Sequence, residues 1–239
     1  MRNSTVIRVA NELQKNGFSL VKNVIRGDDI ERVKLAVTKT QNGDFSRQRR
    51  GDTIGIRNLL KAVPVVKQLA ECATLLNLAQ TLLGSNARPV KGILFDKTPA
   101  ANWKVPWHQD LTIAVTERRE IEGFGPWTEK SGITHVQPPL PILEGLFAIR
   151  IHLDDCGEDN GALKVLPGTH CLGRLSSNHI HELRRTIQEV TCSANAGDVL
   201  LLRPLLVHSS APATQPSRRR VIHLEYSADD LPGGLAWHE

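Results

Sequence analysis

Long apolar runs are missing from this 239-residue sequence, and with them the usual sign of a helix that crosses a membrane. The N-terminal residues lead into an amphipathic pattern rather than into the apolar core of a signal peptide. We therefore expect a cytoplasmic protein that has no membrane partner.

Paired cysteines and aromatic residues are also scarce. No Cys-x-x-Cys pair occurs among the cysteines, which are Cys72, Cys156, Cys171 and Cys192. This spacing argues against a zinc knuckle or a disulfide framework and predicts buried, reduced thiols. Aromatic residues make up only 4% of the chain and no long basic run is present, so a net charge of +5 gives little support to nucleic-acid binding. Small anionic molecules remain plausible partners.

What the sequence does contain is a largely helical first part followed by many short strands. The last of the predicted N-terminal helices begins at Pro64 and ends at Gly84. Beyond Gly84 the apolar pattern becomes extended and turn residues become frequent. We predict one domain, 1–239, in which 1–84 is helical support and 85–239 forms a barrel.

The predicted strands of this barrel include 88–97, 107–115, 146–154 and 219–226. Asp159-Asn160-Gly161 is typical of a hairpin turn that joins the third of these strands to the next one. Short strands with tight turns after helices favour a mainly β fold with N-terminal helices, in which a jelly-roll, cupin-like barrel is braced by α-helices. The mouth of such a barrel is a common place for a ligand site.

Two segments interrupt this pattern. Residues 42–57 are polar and include four arginines, which indicates either a solvated loop or a mobile flap, 47–57, that meets an anionic substrate. Residues 116–141 hold seven glycines and prolines in all. We interpret this second segment as a substrate lid, and the alternative is a structural wrap over the barrel.

The segment 107–110, Trp-His-Gln-Asp, offers an imidazole and a carboxylate two residues apart. On an extended strand residues i and i+2 point to the same side, so His108 and Asp110 could reach one metal ion. A second histidine, His208, follows the apolar run 199–202 and could return to the same place on another strand. Two histidines and one carboxylate form the facial triad of non-haem Fe(II) oxygenases.

The His-x-acid spacing alone does not identify a metal site, because it occurs three times in the sequence. His152 and Asp154 run into a turn that is rich in other acids, which favours a role in supporting the fold. His223 and Glu225 alternate on the last predicted strand, so they could face the barrel interior without binding metal. A contact with substrate or with a metal ligand is the alternative for this pair.

Three motifs occur together in the second half of the chain. They are Trp107-His108-Gln109-Asp110-Leu111, the run 161–170 (Gly-Ala-Leu-Lys-Val-Leu-Pro-Gly-Thr-His), and Gly197-Asp198-Val199 leading to His208. With these motifs the chain resembles the phytanoyl-CoA dioxygenase family of Fe(II)- and 2-oxoglutarate-dependent oxygenases. The likeness extends from about Gly17 to the end of the sequence and implies a double-stranded β-helix fold.

By position, the resemblance implies a set of iron and co-substrate residues. The implied iron ligands are His108, Asp110 and His208. The implied 2-oxoglutarate residues are Arg219, Ser210, Lys97, Ile93 and Arg150. Arg219 would bind the distal carboxylate, since a planar guanidinium can make two parallel hydrogen bonds to it, and strand alternation should turn Arg218 and Arg220 away. Arg150 could instead meet the prime substrate or pair with an acid such as Glu225.

Contacts with the prime substrate are expected from the lid and from the last strand. The candidates are His135, Trp127, Phe124, His223 and Glu225. No catalytic residue is expected beyond the metal centre, neither a general base nor a nucleophilic Ser or Cys, because iron and 2-oxoglutarate carry the chemistry.

The resemblance implies a dioxygenase that uses Fe(II), 2-oxoglutarate and dioxygen. Hydroxylation, or another oxidation, of a C–H bond in a small metabolite or natural-product intermediate is the expected reaction, with release of succinate and CO2. A fatty acyl-CoA hydroxylase is one alternative, although the basic residues that could bind CoA are confined to 47–57 and surface lysines. A cupin-like metal-dependent isomerase or lyase without 2-oxoglutarate is another, and it would leave Arg219 and Ser210 without a role.

Overall fold

The computed structural model describes residues 3–40, 46–49 and 52–239. The helices are α1 (Asn3–Asn16), α2 (Gly27–Lys39), α3 (Leu59–Ala62), α4 (Pro64–Ala70), α5 (Ala73–Leu83), α6 (Leu140–Glu144) and α7 (Ser177–Thr186). The strands are β1 (Phe18–Val21), β2 (Ser46–Arg49), β3 (Asp52–Ile56), β4 (Arg88–Lys97), β5 (Val105–His108), β6 (Ile113–Val115), β7 (Trp127–Lys130), β8 (Ile133–Val136), β9 (Leu146–His152), β10 (Leu163–Val165), β11 (Val190–Cys192), β12 (Val199–Leu202), β13 (His208–Ser210) and β14 (Arg219–Ser227).

Two antiparallel sheets form the barrel. The larger has the strand order β1-β12-β9-β14-β4-β3-β2, and the smaller has the order β11-β10-β13-β5. Every residue of β9 and β12 is buried, because one face of the large sheet packs on helices and the other faces the smaller sheet. The predicted mainly β, jelly-roll fold with bracing helices is confirmed.

The N-terminal helices pack on the outer face of the large sheet. Val9 and Leu13 lie one turn apart on α1 and are fully or almost fully buried, in the same cluster as Ile149 of β9 and Leu201 of β12. Gly17 ends α1 in the left-handed region (φ +82°), where a residue without Cβ is favoured, and β1 follows directly. The apolar stripe of α1 therefore sets the entry of the chain into the sheet.

The first 84 residues also supply strands, so they are more than helical support. β1 pairs with β12, and β3 pairs with β4, at opposite sides of the large sheet. The predicted loop at 42–57 is wrong for 46–49 and 52–56, which pair as β2 and β3, whereas 42–45 and 50–51 lie outside the described residues. The alternative of a mobile flap at 47–57 stays a prediction. The predicted long helix of 64–84 is divided into α4 and α5, because Cys72 has an extended backbone between them.

Two predictions about the barrel strands are wrong. The segment 107–115 forms two strands, β5 and β6, separated by an irregular stretch that carries Asp110. The Asp159-Asn160-Gly161 turn does not make a hairpin, because β9 lies in the large sheet whereas β10 pairs with β11 and β13 of the small one. Gly161 has a φ of +69°, and the chain passes there from one sheet to the other.

The segment 116–141 is not an irregular loop. Its strands β7 and β8 pair with each other, and β8 pairs with β6, to form a three-stranded sheet. Phe124 and Trp127 pack against an apolar cluster that includes Leu143 and Leu231. The segment therefore forms part of a small packed sheet, and its role as a substrate lid stays a prediction.

Two remaining expectations concern the thiols and the membrane. Cys156 and Cys192 are buried and free as predicted, but Cys171 is exposed and Cys72 only half-buried, so the prediction of uniformly buried thiols is wrong. Within the described ranges, the helices all fall short of the length and apolar character needed to cross a bilayer.

Candidate metal centre and co-substrate pocket

His108, His208 and Asp110 converge at the mouth of the barrel. His108 ends β5 and His208 begins β13, and the two residues are direct partners across the strand pair. The Asp110 Oδ1 atom lies 3.7 Å from His108 Nε2, and its Oδ2 atom lies 3.6 Å from His208 Nε2. One ligand atom from each residue falls within 4.8 Å of the others, which is the separation expected when three donors share one ion.

The two imidazoles are oriented for metal binding by backbone carbonyls. His108 Nδ1 lies 2.8 Å from the Pro106 carbonyl oxygen, and His208 Nδ1 lies 2.9 Å from that of Leu206. A carbonyl can only accept a hydrogen bond, so each Nδ1 carries the proton and each Nε2 keeps its lone pair. Both free lone pairs are on the side of Asp110, and the donor set fits a divalent ion such as Fe(II).

The charges of the cluster suit the same ion. Burial lowers the pKa of His208 to about 4, although the Asp110 carboxylate works in the opposite direction. Burial alone would raise the pKa of Asp110, but the neighbouring imidazoles of His208, His223 and His108 hold it well below its usual range. At neutral pH the site therefore presents a neutral His208 and an ionised Asp110, which are the protonation states that metal ligands require.

The side chain of Gln109 fixes the irregular stretch that carries Asp110. Gln109 Nε2 donates to the carbonyl oxygens of Gly173 (2.8 Å) and Leu205 (2.7 Å), and its Oε1 accepts from the Leu175 amide (2.8 Å). The Asp110 amide donates to the Pro204 carbonyl oxygen at 2.9 Å. Sequence reasoning placed Asp110 on the same strand as His108, whereas these hydrogen bonds hold it against the metal site beyond the strand end.

A cavity of about 130 Å³ lies beside the three ligands and is lined by side chains of both sheets. One end holds two cations. Lys97 Nζ donates to Ser210 Oγ (2.8 Å) and to the Ala211 carbonyl oxygen (2.9 Å), and an Arg219 guanidinium nitrogen donates to the Gly161 carbonyl oxygen (2.8 Å). The described residues provide neither cation with a carboxylate partner, and the buried Arg219 Nε has no hydrogen-bond acceptor.

This pair of buried cations fits a dicarboxylate co-substrate. Burial and the charge of Arg219 lower the pKa of Lys97 to about 7. Bringing two cations together out of water is costly unless an anion compensates them. A carboxylate held by Lys97 and Arg219 would do so, and the metal ligands lie along the same cavity.

The other end of the cavity holds a chain of charged side chains that crosses the large sheet. Lys91 Nζ donates to Glu225 Oε1 at 2.6 Å, His223 Nε2 lies 3.2 Å from the same oxygen, and Arg150 lies 3.3 Å from His223 Nδ1. Arg150 also stacks over Phe95, with 5.4 Å between the guanidinium carbon and the ring centroid. The expectation that Arg150 pairs with Glu225 is therefore wrong, because Lys91 occupies that role.

Breaking the Lys91–Glu225 pair should destabilise the fold. In Glu225→Gln, Lys91 loses its anionic partner, so we expect a loss of about 3–5 kcal/mol in the free energy of unfolding, measured by urea denaturation. Burial would raise the pKa of Glu225, but Lys91 and His223 lower it below its ordinary 4.5. Its stabilisation is therefore present above about pH 4.5 and is lost as the pH falls further, and the variant should lack this dependence.

An exposed ion pair provides the matched control for this measurement. Lys164 and Glu189 also form a lysine–glutamate pair, but the side chains are 28% and 42% exposed. Glu189→Gln should therefore cost less than about 1 kcal/mol. Equal losses in the two variants would contradict the assignment of Glu225 to a buried, stabilising pair.

The remaining predicted site residues separate into two groups. Ile93, Arg150, His223 and Glu225 line the cavity together with the cations described above. Phe124, Trp127 and His135 do not line it, and His135 is buried with its Nδ1 facing the Ile133 carbonyl oxygen. His152 also lies outside the lining, and Asp154 binds Arg220 through two 2.8 Å contacts, as expected for a role in the fold.

Sequence reasoning missed five residues of the cavity wall, Lys91, Phe95, Trp103, Val105 and Leu163. Lys91 and Phe95 could have been found, because they alternate on β4 with Ile93 and Lys97 and so share their face. Trp103 lies in the stretch between β4 and β5, and its ring is 5.3 Å from Lys97 Nζ. Local pattern gives no signal for that contact.

Comparisons with known proteins identify the family of this chain. The family model described as "Phytanoyl-CoA dioxygenase (PhyH)" matches residues 13–221. Peroxisomal phytanoyl-CoA dioxygenase of Rattus norvegicus is 23% identical over an alignment of 259 residues that covers 91% of this chain and 67% of the rat protein.

Solved structures share the fold. EctD from S. alaskensis, solved with 2-oxoglutarate and 5-hydroxyectoine, has a TM-score of 0.73 at 19% identity and covers 95% of this chain and 78% of its own. The non-haem 2-oxoglutarate-dependent epimerase SnoN from nogalamycin biosynthesis has a TM-score of 0.70 at 18% identity, and the match covers 98% of this chain and 92% of SnoN. The chain belongs to the phytanoyl-CoA dioxygenase family and is an Fe(II)- and 2-oxoglutarate-dependent dioxygenase.

Proposed function

We propose that this enzyme oxidises a C–H bond of a small metabolite or natural-product intermediate, with hydroxylation as the outcome. In that reaction the substrate C–H, dioxygen and 2-oxoglutarate give the alcohol, succinate and CO2. The observation that carries the proposal is the convergence of two free imidazole Nε2 atoms and one carboxylate beside a pair of buried cations that lack a carboxylate partner within the described chain. We assign the reaction to one oxygenase domain, 1–239.

Iron would be held by His108, Asp110 and His208. When bound, iron and 2-oxoglutarate supply the activation of dioxygen and the oxidation of the substrate. Three protein ligands would leave positions on the ion open to co-substrate and dioxygen. Asp110 offsets part of the ion's charge, and the carbonyl contacts of the two histidines keep both rings in the binding tautomer.

2-Oxoglutarate would be held at its distal carboxylate by Arg219 and Lys97. Ser210 supports this contact in an indirect way, since its hydroxyl accepts from Lys97 and donates to the Gly161 carbonyl oxygen at 2.9 Å. Phe95 and Trp103 help to exclude water from the same cavity. Ile93 and Arg150 flank His223 in one row of the large sheet and form the wall between the two ends of the cavity.

The size of the cavity favours a small substrate over the fatty acyl-CoA alternative. Among the cations of the lining, Lys97 and Arg219 are assigned to the co-substrate, Lys91 is paired with Glu225, and Arg150 contacts His223 and Phe95. A CoA thioester would need a separate site for its adenine and phosphates. The alternative of an isomerase or lyase without 2-oxoglutarate is set aside, because the family depends on this co-substrate.

Anaerobic titration of the protein with Fe(II) and then with 2-oxoglutarate tests the proposal. A weak metal-to-ligand charge-transfer band should develop and saturate at one equivalent of each. A screen of small metabolites for substrate-stimulated succinate release under air would then identify the substrate. A protein that binds Fe(II) but never develops the band would contradict the co-substrate assignment.

Binding of 2-oxoglutarate should be coupled to proton uptake by Lys97. The pKa of Lys97 is about 7 in the free protein because of burial and the charge of Arg219, and a bound carboxylate should raise it. Above pH 7 the affinity should therefore fall, by up to about tenfold per pH unit. Calorimetry at pH 8 in buffers of different ionisation enthalpy would measure the uptake.

Lys97→Arg is the matched control for this coupling, since its guanidinium stays charged at all of these pH values. We expect the variant to bind 2-oxoglutarate without proton uptake and with a flatter pH dependence. An uptake that is equal in the variant and in the wild type would assign the proton to another group.

A further inference from the structure

The Lys91 end of the cavity gathers more positive charge than its acidic residues can neutralise. Arg57 comes one residue after β3, in which Gly55 pairs with Phe95 and Ile56 pairs with Leu94. Phe95 lines the cavity, whereas Ile56 and Leu94 belong to the core behind the sheet. Alternation along the chain turns Arg57 to the side of Ile93, at the edge of the cavity and outside the residues that line it.

Lys130 approaches the same end from β7. Its Nζ donates to the hydroxyl of Thr112 at 3.1 Å, and Thr112 lies two residues after Asp110. Burial, together with the charges of Lys91 and Arg57, lowers the pKa of Lys130. Burial and the same three cations lower the pKa of His135 to about 4. The contact with Thr112 places Lys130 beside the stretch of chain that carries Asp110.

Only one of the three cations is neutralised by an ion pair. Lys91 binds Glu225, whereas Arg57 and Lys130 form no ion pair in the part of the chain that the structure describes. The Arg57 Nε atom is buried and has no hydrogen-bond acceptor there. A buried guanidinium N–H without an acceptor is unfavourable unless a group from outside supplies one. The co-substrate is assigned to Lys97 and Arg219 and so does not supply it.

We propose that the prime substrate is a small organic anion whose carboxylate or phosphate group is bound by Arg57 and Lys130. This inference rests on the proposed function and adds the chemical class of the substrate. The anionic group would dock at the Lys91 end, and the remainder of the molecule would reach the metal ligands along the wall formed by Ile93 and His223. The basic segment seen in the sequence thus contributes Arg57 to substrate recognition.

Calorimetric titration of the anaerobic protein, saturated with Fe(II) and 2-oxoglutarate, tests this assignment. The probes are acetate, hexanoate and benzoate, their primary amides, and inorganic phosphate, all at constant ionic strength. We expect at least one anion to bind, and an amide to bind about tenfold more weakly than its acid or not at all. Binding of phosphate but of none of the carboxylates would identify the recognised group as a phosphoryl group.

Two variants connect the binding to the proposed residues. Arg57→Gln and Lys130→Gln should each lower the affinity for the anion by about tenfold. The charge-transfer band should still form at the same 2-oxoglutarate concentration. Arg57→Lys, which keeps the charge, should restore part of the affinity if folding is intact by circular dichroism. Lys67→Gln is the matched control, because Lys67 is an exposed lysine of α4 that pairs with Glu71.

Three results would overturn the proposal while leaving the proposed function standing. In the first, the charge-transfer band forms normally but no anion binds. In the second, acids and their amides bind with equal affinity. In the third, the Arg57 and Lys130 variants bind anions as tightly as the wild type does. Absence of the band itself would overturn the proposed function and this inference with it.

Discussion

Asp110→Ala should abolish stoichiometric Fe(II) binding and reduce substrate-dependent succinate formation by more than about 100-fold, since even the loss of an outer-shell partner costs about 10- to 100-fold. The fold should survive. The Asp110 side chain is 35% exposed at the barrel mouth, where it contacts the imidazoles of His108 and His208. Equilibrium dialysis against Fe(II) measures the binding, and circular dichroism with thermal unfolding measures the fold.

His181→Ala provides the control, because it removes an exposed imidazole of α7 that could bind iron only nonspecifically. This variant should bind one equivalent of Fe(II), as the wild type does. If Asp110→Ala retains tight binding at one equivalent, the metal lies elsewhere. If it unfolds outright, Asp110 belongs to the stability of the barrel and the ligand assignment loses its main support.

Arg219→Ala should weaken the binding of 2-oxoglutarate by about 2–5 kcal/mol, or roughly 30- to several thousand-fold. The substitution removes one partner of a desolvated charge pair and leaves the co-substrate carboxylate without its guanidinium. The titration that follows the charge-transfer band measures this loss directly. Iron binding should persist, since no ligand atom is touched. Part of the stability should also be lost, because Arg219 donates to the Gly161 carbonyl oxygen.

The neighbouring arginine separates these two effects. Arg220 points to the other face of β14 and binds Asp154, so Arg220→Ala should lower the thermal midpoint and leave 2-oxoglutarate affinity unchanged. A variant of Arg219 that loses stability but keeps wild-type affinity would assign the co-substrate contact to Lys97 alone. Arg219→Lys, which preserves charge but not the planar fork, should retain only part of the affinity.

Strand alternation is the reason that sequence reasoning found the inner face of β14. Arg219, His223 and Glu225 differ by even numbers of residues, and all three line the cavity. The same rule excluded Arg218 and Arg220, which bind Asp96 and Asp154. A period of two is a strong signal wherever a strand is long and one of its faces is polar.

The same sequence could not reveal contacts that depend on nonlocal pairing. Asp159-Asn160-Gly161 has the composition of a hairpin turn, but β10 pairs with β11 and β13. The residues of a turn do not determine which strands of a distant sheet will pair with the strand that follows it. His135 and Trp127 were predicted to contact the substrate because they lie in a segment rich in glycine and proline. Pairing of β7 with β8 instead turned that segment into a small sheet with its own apolar cluster.

The buried amide of Gln109 has a consequence for protein engineering. Its three hydrogen-bond partners come from Gly173, Leu175 and Leu205, which are far from it in sequence. Transplanting the His-Gln-Asp tripeptide into another barrel would therefore also require the backbone groups that bind the glutamine amide. Without those groups the aspartate would sample many orientations, and the grafted centre would select poorly among divalent ions.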